Sequence, residues 1–349
     1  MPYKFEYTPL PPLVKGDKLQ DGIYEIVSDT EDVGGFGRIY KARVLKGGRN
    51  MYMDVALKEF HVQDILDELS QTSIYDSAFS SIDLNQTVEI LKDNFVREAN
   101  IMYWLKRQKD NHVPQLFEGL KQSQGRLYYT MSFIDGPTMT ELVNEKGPLD
   151  EITAVSYVVQ IAKVLHKTHE WKLIHCDISP NNIMLQRDFA ILVDFGNAYG
   201  YREVLRTFYS QEELALMQKD GGDMAYLNGK IMQLDTHQEI PKAGTPGFTA
   251  PRDFIGKPQC DIYGLGATLF FMLTGKKPSQ LLSDIAKKKN EETLHAHGVS
   301  TECVETIMHA MNMNIEECTQ SAKEFLQDLP KDIVFDVLLN YKDYDYNRR

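Results

Sequence analysis

The chain is organised around one polar loop, residues 175–182, which reads His-Cys-Asp-Ile-Ser-Pro-Asn-Asn. A second polar stretch, Asp194-Phe195-Gly196, follows twelve residues after the loop ends. The apolar residues between them predict a β-hairpin, which would deliver Asp177, Asn182 and Asp194 to neighbouring loops. Phosphoryl transfer requires this set: a carboxylate that orients a hydroxyl, and an amide and a second carboxylate that bind Mg²⁺.

Further short patterns stand before and after this loop, and in their order they resemble the protein kinase family. The loop corresponds to the family's HRDLKPxN, and Asp194-Phe195-Gly196 is identical to its DFG. The other matches are GGFG at residues 34–37, VALK at 55–58, GTPGFTAP at 244–251 and DIYGLG at 261–266. The resemblance covers about residues 20–330, and it is the combination rather than any one pattern that is specific.

The resemblance implies an α+β, two-lobed protein kinase fold. Its N-lobe would be an antiparallel β-sheet with one helix, and its C-lobe would be mostly α-helical. The expected divisions are a lead-in (1–20), an N-lobe (21–135), a C-lobe (136–330) and a C-terminal tail (331–349). Two stretches are longer than the family needs: a polar insertion at about 61–86, and an activation segment (194–252) with an inserted helix that begins near Ser210.

ATP binding is assigned by the resemblance mainly to N-lobe residues. The Lys58 ammonium would contact the α- and β-phosphates, and Glu98 would position it. Phe95, Glu98, Met102 and Leu105 recur at helical spacing, so Glu98 would be a carboxylate on an apolar face, where it requires a cation. The remaining expected ATP contacts are the glycines Gly34, Gly35 and Gly37 and the hinge residues Met131, Ser132 and Ile134.

Catalysis and metal binding are assigned to the C-lobe. Asp177 would orient the substrate hydroxyl and accept its proton, while Asn182 and Asp194 would hold Mg²⁺. Thr245 is typical of the Ser/Thr class of the family and completes the catalytic candidates Asp177, Lys58, Asn182 and Thr245. The family's counterpart of Asp261 braces the backbone of the catalytic loop.

Four residues depart from the family pattern: Asp32 replaces the first glycine, Cys176 an Arg, Ser179 a Lys, and Arg252 a Glu. Cys176 makes this a non-RD sequence, so we expect activity that does not depend on a phosphate in the activation segment. The Ser179 substitution removes a cation from the γ-phosphate site. We expect Arg252 to form a buried ion pair with Glu317, or otherwise with Glu316; the alternative is that Arg252 points into solvent and the two carboxylates cover an exposed helix end.

Two alternatives to an ATP-dependent protein Ser/Thr kinase remain open. A small-molecule phosphotransferase of the aminoglycoside or choline kinase type shares the HxDxxxxN loop but lacks the segment seen at residues 244–251. A pseudokinase scaffold, which binds nucleotide or partners without turnover, would tolerate the four departures. The complete set of Lys58, Glu98, Asp177, Asn182 and Asp194 favours catalysis.

Composition restricts the partners of this 349-residue chain. Its formal net charge of −12 argues against non-specific binding to nucleic acid or anionic lipid. The four cysteines show no metal-ligand spacing, so we expect reduced thiols and a cytoplasmic protein. No apolar stretch is long enough for a membrane segment. The expected partner is a protein substrate with Ser or Thr, and the sequence gives no oligomeric state.

Overall fold

The computed structural model describes residues 9–28, 32–34, 37–46, 52–62, 84–108, 110–200, 245–280 and 283–340. These residues form two compact units. The first unit contains the described residues up to 108 together with 114–133. The second contains 110–113, 134–200 and the described residues from 245 onward.

The first unit is built on an antiparallel sheet of seven strands, in which β1, β2, β4, β5, β7 and β6 are neighbours in that order and β3 pairs with β4. The strands are β1 (Lys18–Leu19), β2 (Tyr24–Ile26), β3 (Asp32–Gly34), β4 (Gly37–Val44), β5 (Asp54–Phe60), β6 (Leu116–Ser123) and β7 (Arg126–Ser132). Inward side chains such as Tyr40, Leu57 and Tyr128 are fully buried and form the core of this sheet. Alternation of apolar residues predicted β2 and β4, in which buried side chains alternate with less buried ones over Tyr24–Ile26 and from Tyr40 to Val44, whereas β5 is buried on both faces.

The expected lead-in is part of this unit rather than a simple extended arm. β1 lies within residues 1–20, and Leu13 is buried against the sheet core. The Leu13 N–H donates to the Tyr40 hydroxyl at 3.2 Å, and an Arg126 guanidinium nitrogen donates to the Pro11 carbonyl at 2.7 Å. The prolines keep the segment extended, and these contacts attach it to the sheet.

Helix α1 (Leu84–Gln108) supplies the single helix expected in the first unit. Phe95, Glu98, Met102 and Leu105 are all at most 2% exposed, which confirms the predicted inward face. The helix begins before the expected end of the polar insertion, because residues 84–86 are already helical. Residues 63–83 of that insertion lie outside the described part of the chain.

In its described residues, the second unit is mainly helical and contains one β-hairpin. Its helices are α2 (Met139–Lys146), α3 (Glu151–Glu170), α4 (Pro258–Thr274), α5 (Asp284–Ala296), α6 (Thr301–Ala310), α7 (Ala322–Asp328) and α8 (Lys331–Asn340). The hairpin consists of β8 (Ile183–Gln186) and β9 (Phe189–Leu192), paired from Ile183–Leu192 to Gln186–Phe189. α4 is buried from Cys260 to its end and packs against α3 and α6, which makes it the centre of this unit.

The C-terminal tail differs from the expectation, and the helix expected in the activation segment lies outside the described residues. The expected tail begins with α8, which includes Ile333, Val334, Phe335 and Val337 and packs against α3. The expected C-terminal tail therefore starts with a helix in which most residues are apolar. The helix expected near Ser210 and residues 341–349 lie outside the described residues.

The two remaining expectations concern the state of the cysteines and the presence of a membrane-spanning helix. Cys176, Cys260, Cys303 and Cys318 are all free thiols, as the sequence predicted. Among the described residues, every helix is either too short or too polar to span a lipid bilayer.

Candidate active site

The Asp177 carboxylate lies at the centre of a set of hydrogen bonds within the second unit. Its Oδ1 accepts from the Thr245 N–H at 3.2 Å and from the Thr245 hydroxyl at 3.1 Å. Its Oδ2 accepts from the Asn197 side-chain amide at 3.1 Å. The Asn182 amide donates to the Asp177 main-chain carbonyl at 2.8 Å. The structure therefore brings together three residues that the sequence nominated and one, Asn197, that it did not.

Asp261 holds the backbone that presents Asp177. Its carboxylate is fully buried and accepts from the His175 N–H at 2.9 Å and from the Cys176 N–H at 2.7 Å. The His169 Nε2 donates to the same carboxylate at 2.8 Å. Cys176 has φ of 62°, a left-handed conformation that costs a non-glycine residue about 1 kcal/mol or more. Asp261 thus braces the loop as expected, and it stabilises a strained residue next to Asp177.

The β8–β9 hairpin brings Asp194 to the same loop. The Val193 N–H donates to the Asn182 carbonyl at 2.9 Å, and the His175 ring donates to the Val193 carbonyl at 3.1 Å. Asp194 itself is left-handed, with φ of 61°, and its Oδ1 accepts from the Gly196 N–H at 3.2 Å. These bonds tie the catalytic loop and the DFG segment to each other on both sides of the hairpin.

Asn182 and Asp194 carry the oxygen atoms that could hold a metal ion. The Asn182 amide nitrogen is committed to the Asp177 carbonyl, which fixes the orientation of the amide group. Its Oδ1 accepts no hydrogen bond from the residues that the structure describes. An oriented amide oxygen and a carboxylate are hard ligands of the kind that Mg²⁺ prefers. The residues therefore fit the expected metal.

Ser179, where the family has Lys, is completely buried. Its hydroxyl and the Thr245 hydroxyl are hydrogen-bonded at 3.2 Å. The Thr245 side chain thus contacts both Ser179 and Asp177. Within the described part of the second unit, the donors to the Asp177 carboxylate are all neutral.

Lys58 and Glu98 form the expected ion pair in the first unit. The Lys58 ammonium donates to both Glu98 oxygens, at 2.7 and 2.9 Å, and the side chains are 4% and 2% exposed. β5 supplies Lys58 and the inward face of α1 supplies Glu98. The prediction that the buried carboxylate takes this cation is confirmed.

The hinge and glycine residues are only partly described. Met131 and Ser132 end β7 and are half-buried, and Ile134 is buried. The Ser132 N–H donates to the Gln115 carbonyl at 2.8 Å, so this N–H is not available to adenine.

Gly34 and Gly37 face each other across the β3–β4 turn, and Gly35 lies outside the described residues. A Cβ atom at Gly37 would lie 2.2 Å from the Glu59 carbonyl oxygen, so close strand packing alone requires glycine there.

The expected Arg252 ion pair is wrong. Arg252, Glu316 and Glu317 are all exposed, and no bond joins Arg252 to either carboxylate, although all three residues are described. Arg252 begins a single 3₁₀ turn, Arg252–Phe254, whose buried residue is Phe254. Since that turn leaves the guanidinium in water, no desolvation cost forces it to find a partner.

Cys176 lies beside a second thiol, Cys260, and its N–H contacts the Asp261 carboxylate. A hydrogen bond with the Cys176 side chain, together with burial, raises the pKa of the Cys260 thiol above its usual range. The position before Asp177 is therefore occupied by a cysteine with a second thiol beside it, not by an arginine. A phosphate would find no cation at this position.

The sequence did not nominate His169 or Asn197. His169 stands in the last turn of α3, where a basic residue is ordinary, so nothing local distinguishes it. Asn197 follows the DFG directly, and its position in the sequence was the one signal available. His169 contacts Asp261 and Asn197 contacts Asp177, and neither contact can be predicted from the spacing of residues in the sequence.

Comparison with known proteins gives a consistent set of relatives. A family model described as "Protein kinase domain" matches residues 34–215, just over half of the chain. Serine/threonine-protein kinase C of Synechocystis sp. is 29% identical over 248 residues, which are 68% of this chain and 40% of that protein. Serine/threonine-protein kinase PknA of Nostoc sp. is 26% identical over 253 residues, 71% of this chain and 40% of that protein.

Among solved structures, Rad53 residues 1–466 in complex with AMP-PNP is similar in fold. The TM-score is 0.55 at 15% sequence identity, covering 87% of this chain and 64% of that one. At this identity the likeness concerns the fold alone. The chain spans about 40% of the length of the two curated relatives.

Proposed function

The chain belongs to the protein kinase family, and we propose that it is an ATP- and Mg²⁺-dependent kinase that phosphorylates Ser or Thr in protein substrates. It has the α+β fold of that family. One observation carries the proposal. The Asp177 carboxylate accepts hydrogen bonds on both oxygens, and its main chain is bonded to Asn182. A carboxylate fixed in this way can orient a hydroxyl for transfer.

Each polar residue then has a distinct task. Asp177 would accept the proton of the substrate hydroxyl as that oxygen attacks the γ-phosphorus, and the bond from this phosphorus to the β-phosphate oxygen would break, which releases ADP. Asn182 and Asp194 would hold Mg²⁺, which supplies charge neutralisation at the phosphates. Lys58, fixed by Glu98, would bind the α- and β-phosphates. Gly34, Gly35 and Gly37 would approach the phosphates through the main chain, and Met131, Ser132 and Ile134 would contact adenine.

The Ser/Thr assignment rests on Thr245. Its hydroxyl and N–H both contact Asp177, which is the arrangement expected if this residue belongs to the substrate-facing end of the activation segment. The two named bacterial relatives are serine/threonine kinases, and the segment at residues 244–251 is absent from small-molecule phosphotransferases. Protein substrates are therefore favoured over small alcohols.

We further propose that the kinase is of the non-RD type. The residue before Asp177 is a cysteine rather than an arginine, and a hydrogen bond with Cys176 together with burial raises the pKa of the neighbouring Cys260 thiol. A phosphorylated activation segment would have no guanidinium to pair with at this position. The four free thiols also favour a reducing compartment, in keeping with the cytoplasm.

A pseudokinase remains the second candidate, on one observation. Ser179 removes the lysine from the phosphate site, and the donors around Asp177 that the structure describes carry no positive charge. Such a site could bind nucleotide without efficient transfer. The two readings differ in turnover rather than in binding.

The test measures binding and turnover separately. Purified chain is incubated with labelled ATP, Mg²⁺ and a mixture of generic protein acceptors, and nucleotide binding is followed by the thermal shift. We expect phosphoserine or phosphothreonine, and a loss of about 10³-fold or more in kcat for Asp177→Asn with ATP binding preserved. Wild-type protein that binds ATP but turns over no faster than Asp177→Asn would establish the pseudokinase.

A further inference from the structure

Asn197 contacts the one acidic oxygen on which the proposed chemistry depends. Its side-chain nitrogen donates to Oδ2 of Asp177 at 3.1 Å, while Thr245 supplies both donors to Oδ1. Asn197, near the start of the activation segment, and Thr245, near its end, thus each contact a different oxygen of the Asp177 carboxylate. Neither oxygen can turn away without losing a hydrogen bond.

The backbone around Asn197 is fixed on both sides, so its side chain is held in place. It closes a 3₁₀ turn, Phe195–Asn197, in which the Ala198 N–H donates to the Phe195 carbonyl at 3.0 Å. Two residues later, Tyr199 and Ile174 exchange backbone hydrogen bonds of 2.7 and 2.9 Å. Phe195 is buried against the His175 ring, with 4.7 Å between ring centroids. The segment that carries Asn197 is therefore anchored to Ile174, the residue directly before the catalytic loop.

The number of donors decides where a substrate can bind. A carboxylate offers about four acceptor positions, two on each oxygen. Thr245 fills both positions on Oδ1, and Asn197 fills one on Oδ2. Among the described residues, the acceptor position left without a donor is on Oδ2, beside the Asn197 amide.

The groups of Asn197 and Thr245 that donate to Asp177 are neutral, so they do not neutralise the negative charge of its carboxylate. An amide, a hydroxyl and a backbone N–H orient the carboxylate without forming an ion pair with it. Ser179 stands where the family has a lysine, and its buried hydroxyl contacts Thr245 rather than Asp177. Orientation of Asp177 is thereby left to neutral groups.

We infer that Asn197 is a positioning residue for Asp177, which holds Oδ2 so that its remaining acceptor position receives the substrate hydroxyl. The inference rests on the proposed kinase function. Asn197 touches neither substrate nor nucleotide in this role and acts only through Asp177. Its removal should therefore lower kcat and leave the binding of ATP unchanged.

The experiment compares two substitutions that differ in the amide. Asn197→Leu keeps the approximate volume and removes the donor, and Asn197→Gln keeps the amide on a longer side chain. We expect Asn197→Leu to lower kcat by about 10- to 100-fold, as for a misplaced catalytic group. KM for ATP should change by less than about 2-fold, and Asn197→Gln should recover part of kcat.

A matched control and a double mutant separate positioning from packing. Asn144 lies in α2 of the same unit and is exposed, so Asn144→Leu should leave kcat unchanged. In an Asp177→Asn background, Asn197→Leu should cause no further loss, because the two residues act as a unit.

Three results would overturn the inference alone: an active Asn197→Leu, equal losses in Asn197→Leu and Asn197→Gln, or the full loss repeated in the Asp177→Asn background. A wild-type chain without turnover overturns the proposed function, and this inference with it.

Discussion

Replacing Asp261 by Asn tests the brace beneath the catalytic loop. Asp261 is fully buried and accepts from two backbone N–H groups and from His169, at distances between 2.7 and 2.9 Å. Asn has the same shape, but one carboxylate oxygen becomes an NH₂ group. At least one N–H donor then faces another donor, and the remaining bonds lose their charged acceptor.

The expected loss in stability follows from these contacts. A hydrogen bond to a charged group contributes about 1.5–3 kcal/mol, and an unsatisfied buried donor costs about 1–3 kcal/mol. Losing one bond and weakening two gives about 3–5 kcal/mol, similar to breaking a buried ion pair. For a unit of this size, that loss lowers Tm by about 10 °C. The kinase activity should fall as well, because Cys176 is then free to leave its left-handed conformation.

Thermal unfolding followed by circular dichroism measures the effect directly. The matched control is Asp253→Asn, which changes an exposed aspartate in the same unit and should alter stability by less than about 0.5 kcal/mol. A Tm for Asp261→Asn within about 2 °C of wild type would show that the three hydrogen bonds do not carry the stability assigned to them.

Two further predictions concern the ion pair and the activation segment. Glu98→Gln removes the negative charge from the buried pair, so we expect the free energy of unfolding, measured by urea denaturation, to fall by about 3–5 kcal/mol and KM for ATP to rise. A decrease in the free energy of unfolding of under about 1 kcal/mol would contradict a stabilising role for the pair. Phosphatase treatment should leave at least about half of the activity, since Cys176 offers phosphate no charge; an activity abolished by phosphatase and restored by rephosphorylating one site within 199–245 would refute the non-RD assignment.

The sequence predicted those parts of the site where local pattern and desolvation agree. Helical spacing placed Glu98 on an apolar face, and the cost of burying a lone carboxylate selected Lys58 as its partner. The structure confirms the contact at 2.7 Å. Likewise, the apolar runs on either side of residues 186–189 predicted the hairpin that carries Asn182 and Asp194. In each case the predicted arrangement had a much lower free energy than the alternatives.

The Arg252 prediction failed because that condition was not met. It assumed that Arg252 is buried, as the family's Glu is, and the assumption came from the resemblance rather than from the residues. The structure leaves the guanidinium exposed, so water solvates it and no partner is required. A charged side chain near an open surface leaves several arrangements nearly equal in energy, and sequence cannot choose among them.

The geometry at Asp177 lies beyond sequence for a different reason. Cys176 and Asp194 both adopt left-handed backbone, with φ of 62° and 61°. Asp enters that region with some ease, but Cys does not, so local preference alone would place Cys176 in an extended conformation. Its conformation is instead stabilised by Asp261, which lies 85 residues away in the chain. Because the direction of Asp177 follows from the backbone of Cys176, a distant buried carboxylate decides where the catalytic one points.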